Sequence, residues 1–248
     1  ALGFVAGFTG KAIEDGLAAQ GIHTDFIHLP EGNSRINVKV KHGDETEING
    51  QGPVITEEAI NELFAKLASL TKEDILVLAG SIPNTLPEDI YEKILARLES
   101  KGIRVVVDAT KDLLLNVLKY HPFLIKPNNH ELGEMFGTVC KTDEDIVHYA
   151  KKLQEKGAVN VLISMAGDGA ILITEDGQNI KMGTPKGKVV NSVGAGDSMV
   201  AGFITGYIRG GNYEEALKSG TAAGSATAFS EGLASLEMYE KMLKQITE

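Results

Sequence analysis

A chain of 248 residues with 43% hydrophobic content can bury a substantial core as one α/β domain with at most a small appendage, so no second enzyme domain is needed. Thirty-four acidic against 24 basic residues give a net charge of −10, and the short basic groups Lys151-Lys152 and Lys186-Gly187-Lys188 stand apart, which argues against nucleic acid as a partner. The single cysteine, Cys140, excludes an internal disulfide and points to a packed thiol in a reducing cytoplasm, while none of the six histidines has the paired spacing of a zinc site.

The chain opens on Ala1-Leu2-Gly3-Phe4-Val5, a short apolar run before Gly7 that reads as a strand inside a sheet. No apolar run approaches the length of a membrane span, and the opening lacks the charged-then-apolar pattern of a secretion signal, so a soluble protein without a membrane partner is expected. Between residues 21 and 50 polar and apolar residues alternate. Strands are predicted there over 23–27, 35–40 and 45–48, forming one small sheet that flanks the main domain. Farther on, apolar runs at 75–79, 103–107, 123–125 and 159–164 alternate with helical stretches at 87–100 and 143–156, the pattern of parallel strands joined by right-handed crossovers. Helices over 196–209, 213–229 and 236–246 close the chain.

Residues suited to chemistry cluster where those strands end. Arg35 carries a planar fork of donors that matches a phosphate. Ser81, after the turn at Ala79-Gly80, can offer a hydroxyl and an amide to the same group, and Asp108 ends another strand as a metal ligand or a helix cap. In Lys126-Pro127-Asn128 the proline forces an extended turn at a strand's carboxyl end, where open α/β sheets bind ligands. Asn128 and Glu131 lie three apart at a helix start, a spacing that serves either a hydrated magnesium ion or a reciprocal capping pair. Ser164-Met165-Ala166-Gly167-Asp168-Gly169-Ala170 separates two apolar runs and reads locally as a hairpin loop.

Most informative is Asn191-Ser192-Val193-Gly194-Ala195-Gly196-Asp197-Ser198. It sets a glycine turn and one acidic side chain at the start of a helix whose first amides lack intrahelical acceptors, a place for an anionic group. Asp197 there can take the proton of a hydroxyl attacking a bound phosphate; a plain glycine turn followed by an acid favoured by the helix dipole is the alternative.

These segments together resemble the ribokinase-like, or PfkB, sugar kinases over essentially the whole chain. The blocks that carry the resemblance are Leu78-Ala79-Gly80-Ser81-Ile82-Pro83, Lys126-Pro127-Asn128-Asn129-His130-Glu131-Leu132, Ile163 through Ala170, and Asn191 through Ser198. Ser34-Arg35-Ile36-Asn37-Val38-Lys39 followed by Glu45 through Pro53 is similar to the lid-to-domain stretch of members acting on fructose 1-phosphate and, less closely, tagatose 6-phosphate.

The resemblance implies a three-layer α/β/α fold with a mostly parallel sheet and a β lid at about residues 21–50 through which two copies pair. It implies transfer of the γ-phosphoryl group of ATP to the 6-hydroxyl of fructose 1-phosphate, with Asp197 as base and with Gly194, Ala195 and Gly196 stabilising the transferring group. Lys126, Asn128, Ser164, Gly167, Asp168, Gly169 and Gly224 would contact nucleotide, and Asn128 and Glu131 would hold Mg2+ through water. Gly224 sits in the small run Ala222-Ala223-Gly224-Ser225, which close helix packing explains equally well. Arg35 and Ser81 would bind the sugar phosphate. The family's opening Asn-Pro-x-x-Asp and Gly-Gly-Lys-Gly blocks do not occur in these 248 residues, which reads as an amino-terminally shortened chain. That leaves a non-catalytic nucleotide sensor as the alternative of another class.

Overall fold

The computed structural model describes residues 1–41, 45–80, 82–109 and 111–247. It divides into two units, Ala1–Glu73 with Ile82–Gly102, and Asp74–Ser81 with Ile103–Glu248.

In the first unit, strands β1 (Phe4–Val5) and β2 (Ile27–His28) pair in parallel around helix α1 (Gly7–Ala19), with Val5, Ala6, Ile27 and Leu29 buried. Strands β3 (Asn37–Lys41) and β4 (Glu45–Asn49) form a separate antiparallel pair with Val38 opposite Ile48. Two expectations are corrected here. The strand predicted at 23–27 shifts to β2 and does not join β3 and β4, and β1 pairs only with β2 among the described residues rather than lying inside the large sheet. Each is two residues long, and their ladder is carried by the Ile27 amide on the Gly3 carbonyl and the Leu29 amide on the Val5 carbonyl.

Helix α2 (Glu57–Leu67) starts where the Thr56 side chain accepts the Ala59 amide, with Glu57 and Glu58 in the first turn matching the helix dipole. Past its other end, Lys101 Nζ donates to the carbonyl of Ala68 and, at 3.0 Å, to that of Leu70. Helix α3 (Ile90–Leu98) buries Ile90, Ile94, Leu95 and Leu98 on one stripe, and the Arg97 guanidinium lies 3.4 Å from the Phe64 ring centroid. The helix expected from Pro87 begins three residues later because the Pro87 carbonyl takes the Ile90 amide in a turn.

The second unit holds a six-stranded sheet in the order β10-β9-β8-β7-β6-β5, built from β5 (Ile75–Ala79), β6 (Arg104–Asp108), β7 (Leu124–Ile125), β8 (Asn160–Ser164), β9 (Ala170–Ile173) and β10 (Asn179–Met182). β5 through β8 are parallel, and β9 and β10 add an antiparallel edge. Period-two alternation divides the sheet's apolar residues between two faces. Val106, Leu124, Leu162, Ala170 and Leu172 pack on Met199, Val200 and Phe203 of α7 (Ala195–Gly210) and on Ala216 and Leu217 of α8 (Tyr213–Ala228). Val107, Ile125, Val161, Ile163, Ile171 and Ile173 lie on the other face and are buried beneath the side of α4 (Lys111–Val117), α5 (Asn129–Met135) and α6 (Asp143–Glu155), with Ile146, Ala150 and Leu153 the buried stripe of α6.

This is the expected three-layer α/β/α arrangement. Burial on both faces explains why these strands read as continuous apolar runs. Phe203 is fully buried, so truncating it to alanine costs about 3–5 kcal/mol. A last helix, α9 (Leu236–Thr247), seats Met242 against Ala222 and Ala226 of α8. No helix among the described residues is long and apolar enough to cross a membrane.

Candidate active site

The chemistry-bearing residues of the second unit gather at the carboxyl ends of its parallel strands. Val107 of β6 pairs with Ile125 of β7, so Asp108 and Lys126 follow as neighbours at the next step. Their side chains meet, with Lys126 Nζ 3.2 Å from Asp108 Oδ1. Lys126 is only 7% exposed, which rules out an ordinary surface lysine. Asp108 is further anchored by its carbonyl, which accepts the Gly80 amide at 3.1 Å. Burial pushes the Asp108 carboxyl above its usual range; Lys126 pulls it back, while the carboxylates of Asp197 and Glu131 push it up again. Asp108, Lys126, Glu131 and Asp197 thus share one electrostatic neighbourhood.

Asn128 and Glu131 form a complete capping box at the start of α5, the Asn128 amide donating to Glu131 Oε2 and the Glu131 amide to Asn128 Oδ1, each at 2.8 Å. The capping alternative read from the spacing is therefore present. It leaves Glu131 Oε1 outside the box. Among the described residues no group of three or more acidic, histidine or cysteine side chains could cage a metal, so any ion here would keep much of its water. One bridge beyond β7 and β8 sets Asn128 beside Ser164, and the Ser164 amide donates to the Pro127 carbonyl at 3.2 Å.

From Ser164 the chain makes a 3-10 turn, Ala166–Asp168, into β9, the hairpin loop its composition implies. The loop is tied by the Met165 amide to the Gly169 carbonyl at 2.8 Å and by the Thr184 hydroxyl to the Gly167 carbonyl at 2.8 Å. Asp168 and Gly167 are exposed, whereas Gly169 is buried with the Met182 carbonyl 2.0 Å from where a Cβ would sit. That close approach accounts for Gly169 without a ligand. Gly224 is likewise explained by packing, since a Cβ there would lie 3.1 Å from the Ala195 carbonyl oxygen of α7.

Gly194 precedes α7 with a left-handed φ of 80° and, having no side chain, leaves the helix without a side-chain cap. The Ala195 amide donates to the Ser192 carbonyl at 3.2 Å, so this residue is not a free donor as expected; the turn has used it. Among the described residues no acceptor is found for the Gly196 and Asp197 amides. An added Cβ on Gly196 would sit 3.2 Å from Lys126 Nζ, which places the ammonium at this same first turn. The Asp197 side chain is exposed beside it. The preceding loop is fixed by Asn191, whose side chain donates to the Glu231 carbonyl at 3.0 Å and accepts the Val193 amide at 3.2 Å. Ser198 Oγ and Thr227 Oγ1, 2.8 Å apart, join α7 to α8.

A family model described as pfkB family carbohydrate kinase matches residues 1–238. The chain belongs to this family. It is accordingly a phosphotransferase with an alcohol group as acceptor. The chain is 50% identical to a 1-phosphofructokinase of Bacillus subtilis over 99% of its own length and 80% of the relative's. It is 38% identical to a D-tagatose-1-phosphate kinase of Bacillus licheniformis, over 99% and 81% of the two chains. A crystal structure of a Staphylococcus aureus protein assigned as a phosphofructokinase is 46% identical and superposes with a TM-score of 0.90, covering 99% of this chain and 79% of that one.

Arg35 and Ser81 are the two residues of this PfkB kinase expected to bind the sugar phosphate. In the first unit, Arg35 lies two residues before β3 rather than on the strand. It lines a cleft of about 390 Å³ with Asn49, Gly50, Gln51, Gly52, Pro83 and Asn84. The other, Ser81, lies outside the described residues. Sequence reasoning named Asp108 and Lys126 separately and missed their pairing, although the strand ends at which both were placed were the signal. The supports from Glu231, Thr227 and Thr184 left no local signal, because each joins residues well apart in the chain.

Proposed function

We propose that this PfkB kinase transfers the γ-phosphoryl group of ATP to the 6-hydroxyl of fructose 1-phosphate, giving fructose 1,6-bisphosphate and ADP. The observation that carries the reading is the first turn of α7, where acceptor-free amides of Gly196 and Asp197, the Lys126 ammonium and the Asp197 carboxylate converge. The amides and ammonium offset charge on the transferring phosphoryl. As the bond from the sugar oxygen to phosphorus forms and the bond to the ADP oxygen breaks, the hydroxyl proton passes to Asp197.

Asn128 and Glu131 fit a hydrated magnesium ion, since a half-buried carboxylate with one oxygen free and an amide oxygen beside it match the few protein contacts that ion needs. When bound, magnesium supplies charge neutralisation between the nucleotide phosphates. Ser164, Gly167 and Asp168 would border the nucleotide, with Gly169 and Gly224 shaping the walls. Arg35 would grip the sugar phosphate from its cleft, and Ser81 would bind the same phosphate. Val38 and Ile48, paired across the β3–β4 hairpin and 45% and 61% exposed, would be covered by a second copy.

A coupled ADP-release assay tests the reading with fructose 1-phosphate, fructose 6-phosphate, tagatose 1-phosphate and tagatose 6-phosphate side by side. Fructose 1-phosphate should give the highest kcat/KM; no release above the ATP-only rate with any of them would leave only a nucleotide sensor. Tagatose 1-phosphate is the second reading, favoured by the 38% identical relative named for that sugar. It keeps the phosphate position and changes one ring hydroxyl.

A further inference from the structure

We propose that Asp108 is a positioning residue that acts through Lys126, holding its ammonium against the first turn of α7 where the transferring phosphoryl group is bound. The inference rests on the kinase reading above and assigns a residue that reading does not use. Three observations carry it. The β6–β7 register delivers Asp108 and Lys126 as adjacent residues of one parallel pair, and they meet at 3.2 Å. Lys126 is 7% exposed, and Asp108 is its one ion-pair partner among the described residues. Nζ lies close enough to Gly196 that a single added carbon there would be 3.2 Å away.

A lysine stem has four flexible methylenes, and its strongly hydrated head gains by swinging into water. Keeping that head beneath the helix start needs a fixed anion behind it. Asp108 supplies one, fixed in turn by the Gly80 amide on its carbonyl. Unless it holds the metal or takes a proton, a carboxylate near bound phosphates works against them. By charge alone it repels them, and Glu131 and Asp197 already add negative charge to the same neighbourhood. The two accounts therefore predict opposite signs. If Asp108 mattered only through its charge, neutralising it would tighten binding of a triphosphate; if it positions Lys126, neutralising it weakens that binding.

The test uses calorimetric affinities for ADP and for a non-hydrolysable β,γ-imido ATP analogue, with and without magnesium. The proteins are the wild type, Asp108→Asn, Lys126→Met and the double variant, each with a thermal melt. Asp108→Asn should lose about 10-fold to 100-fold in affinity for the triphosphate analogue and much less for ADP, the scale of a mispositioned contact. That loss should vanish in the Lys126→Met background. Tighter triphosphate binding by Asp108→Asn overturns the proposal. So does an equal loss with Lys126 already removed, which would mean that Asp108 contacts the ligand or its metal directly. Equal losses for both nucleotides together with a lowered melting temperature would reduce Asp108 to a structural residue. Should Asp108→Asn not fold, the double variant against Lys126→Met still decides, because the proposal requires their triphosphate-to-diphosphate affinity ratios to match. A wild-type chain that binds neither nucleotide overturns the kinase reading, and the positioning role falls with it.

Discussion

Asn128 and Glu131 each accept the other's backbone amide at 2.8 Å, so the pair proposed to hold magnesium is also the reciprocal cap of α5. The two roles use different capacities of one carboxylate. Capping fixes its orientation and consumes Oε2, while the negative charge and Oε1 remain to attract a hydrated cation.

Replacing Glu131 separates them. Glu131→Gln keeps an oxygen that can accept the Asn128 amide, so the melting temperature should hold while the magnesium concentration for half-maximal rate rises. Glu131→Ala should add a capping loss of about 1 kcal/mol. A magnesium titration with a parallel melt reads both, and an unchanged magnesium profile for Glu131→Gln would leave the cap as the residue's whole role.

Asp197 is exposed in the first turn of α7 and, among the described residues, accepts no hydrogen bond from the surrounding fold, so its removal should be felt in chemistry rather than in stability. Asp197→Asn should lower kcat by about 10²-fold to 10⁴-fold while nucleotide affinity stays near the wild-type value. Nearly normal turnover would remove it as the base. A large drop in melting temperature without a kinetic effect would return it to a helix-dipole role.

Much of this was legible because the second unit's strands are buried on both faces and so announce themselves as apolar runs: 75–79 is β5 to the residue, and α6 to α9 fall within one residue of the expected bounds. The first unit was read less well. Its strands are two to five residues long and its α1 carries Gly7, Gly10 and Gly16, which blur the helical period. Thr56 followed by Glu57 and Glu58 was a cap signal that marks α2, and it went unread. At the site, residue types and loop positions were visible. What was not visible is which of them meet, because the Asp108–Lys126 contact and the packing of Gly224 on α7 depend on sheet register and helix crossing rather than on local spacing.

Gly167 and Gly169 separate nucleotide contact from packing within one loop. A Cβ at Gly167 meets nothing within 4 Å, whereas at Gly169 it meets the Met182 carbonyl at 2.0 Å. Gly169→Ala should destabilise the fold by about 2 kcal/mol or more. Gly167→Ala should leave the melting temperature unchanged and raise the KM for ATP. If Gly167→Ala changes neither, the loop does not border the nucleotide.

Cys140 is 8% exposed, and burial, helped by Asp145, pushes its thiol above the ordinary range. The folded protein should therefore react slowly with an alkylating agent at neutral pH and quickly once unfolded. Linkage fixes the sign. The folded thiol keeps its proton to higher pH than the unfolded one, so its stabilising contribution is full below the ordinary thiol range and is lost as pH rises through it. Melting temperature should fall between pH 7 and pH 10 less steeply in Cys140→Ala than in wild type, and an identical slope would exclude the effect.

Arg35 is the sharpest test of the sugar side. Its guanidinium is exposed in the cleft with Asn49, Gln51 and Asn84, polar groups that suit a phosphorylated sugar and, among the described residues, bring no carboxylate to the charge. A planar fork of donors recognises a phosphate through paired, charge-assisted hydrogen bonds, so its loss should fall on the phosphorylated substrate. Arg35→Ala should lower kcat/KM for fructose 1-phosphate by roughly 1.5–3 kcal/mol, the scale of a hydrogen bond to a charged group, and barely alter the KM for ATP. The competing role is packing within the β3–β4 hairpin or against a second copy. In that case ATP and sugar parameters would worsen together, or sedimentation would show a dimer falling apart, and phosphate recognition by Arg35 would be withdrawn. Arg35→Lys sharpens the choice: a single ammonium keeps the charge but not the fork, so intermediate sugar-phosphate activity with an unchanged association state is the outcome that phosphate recognition requires.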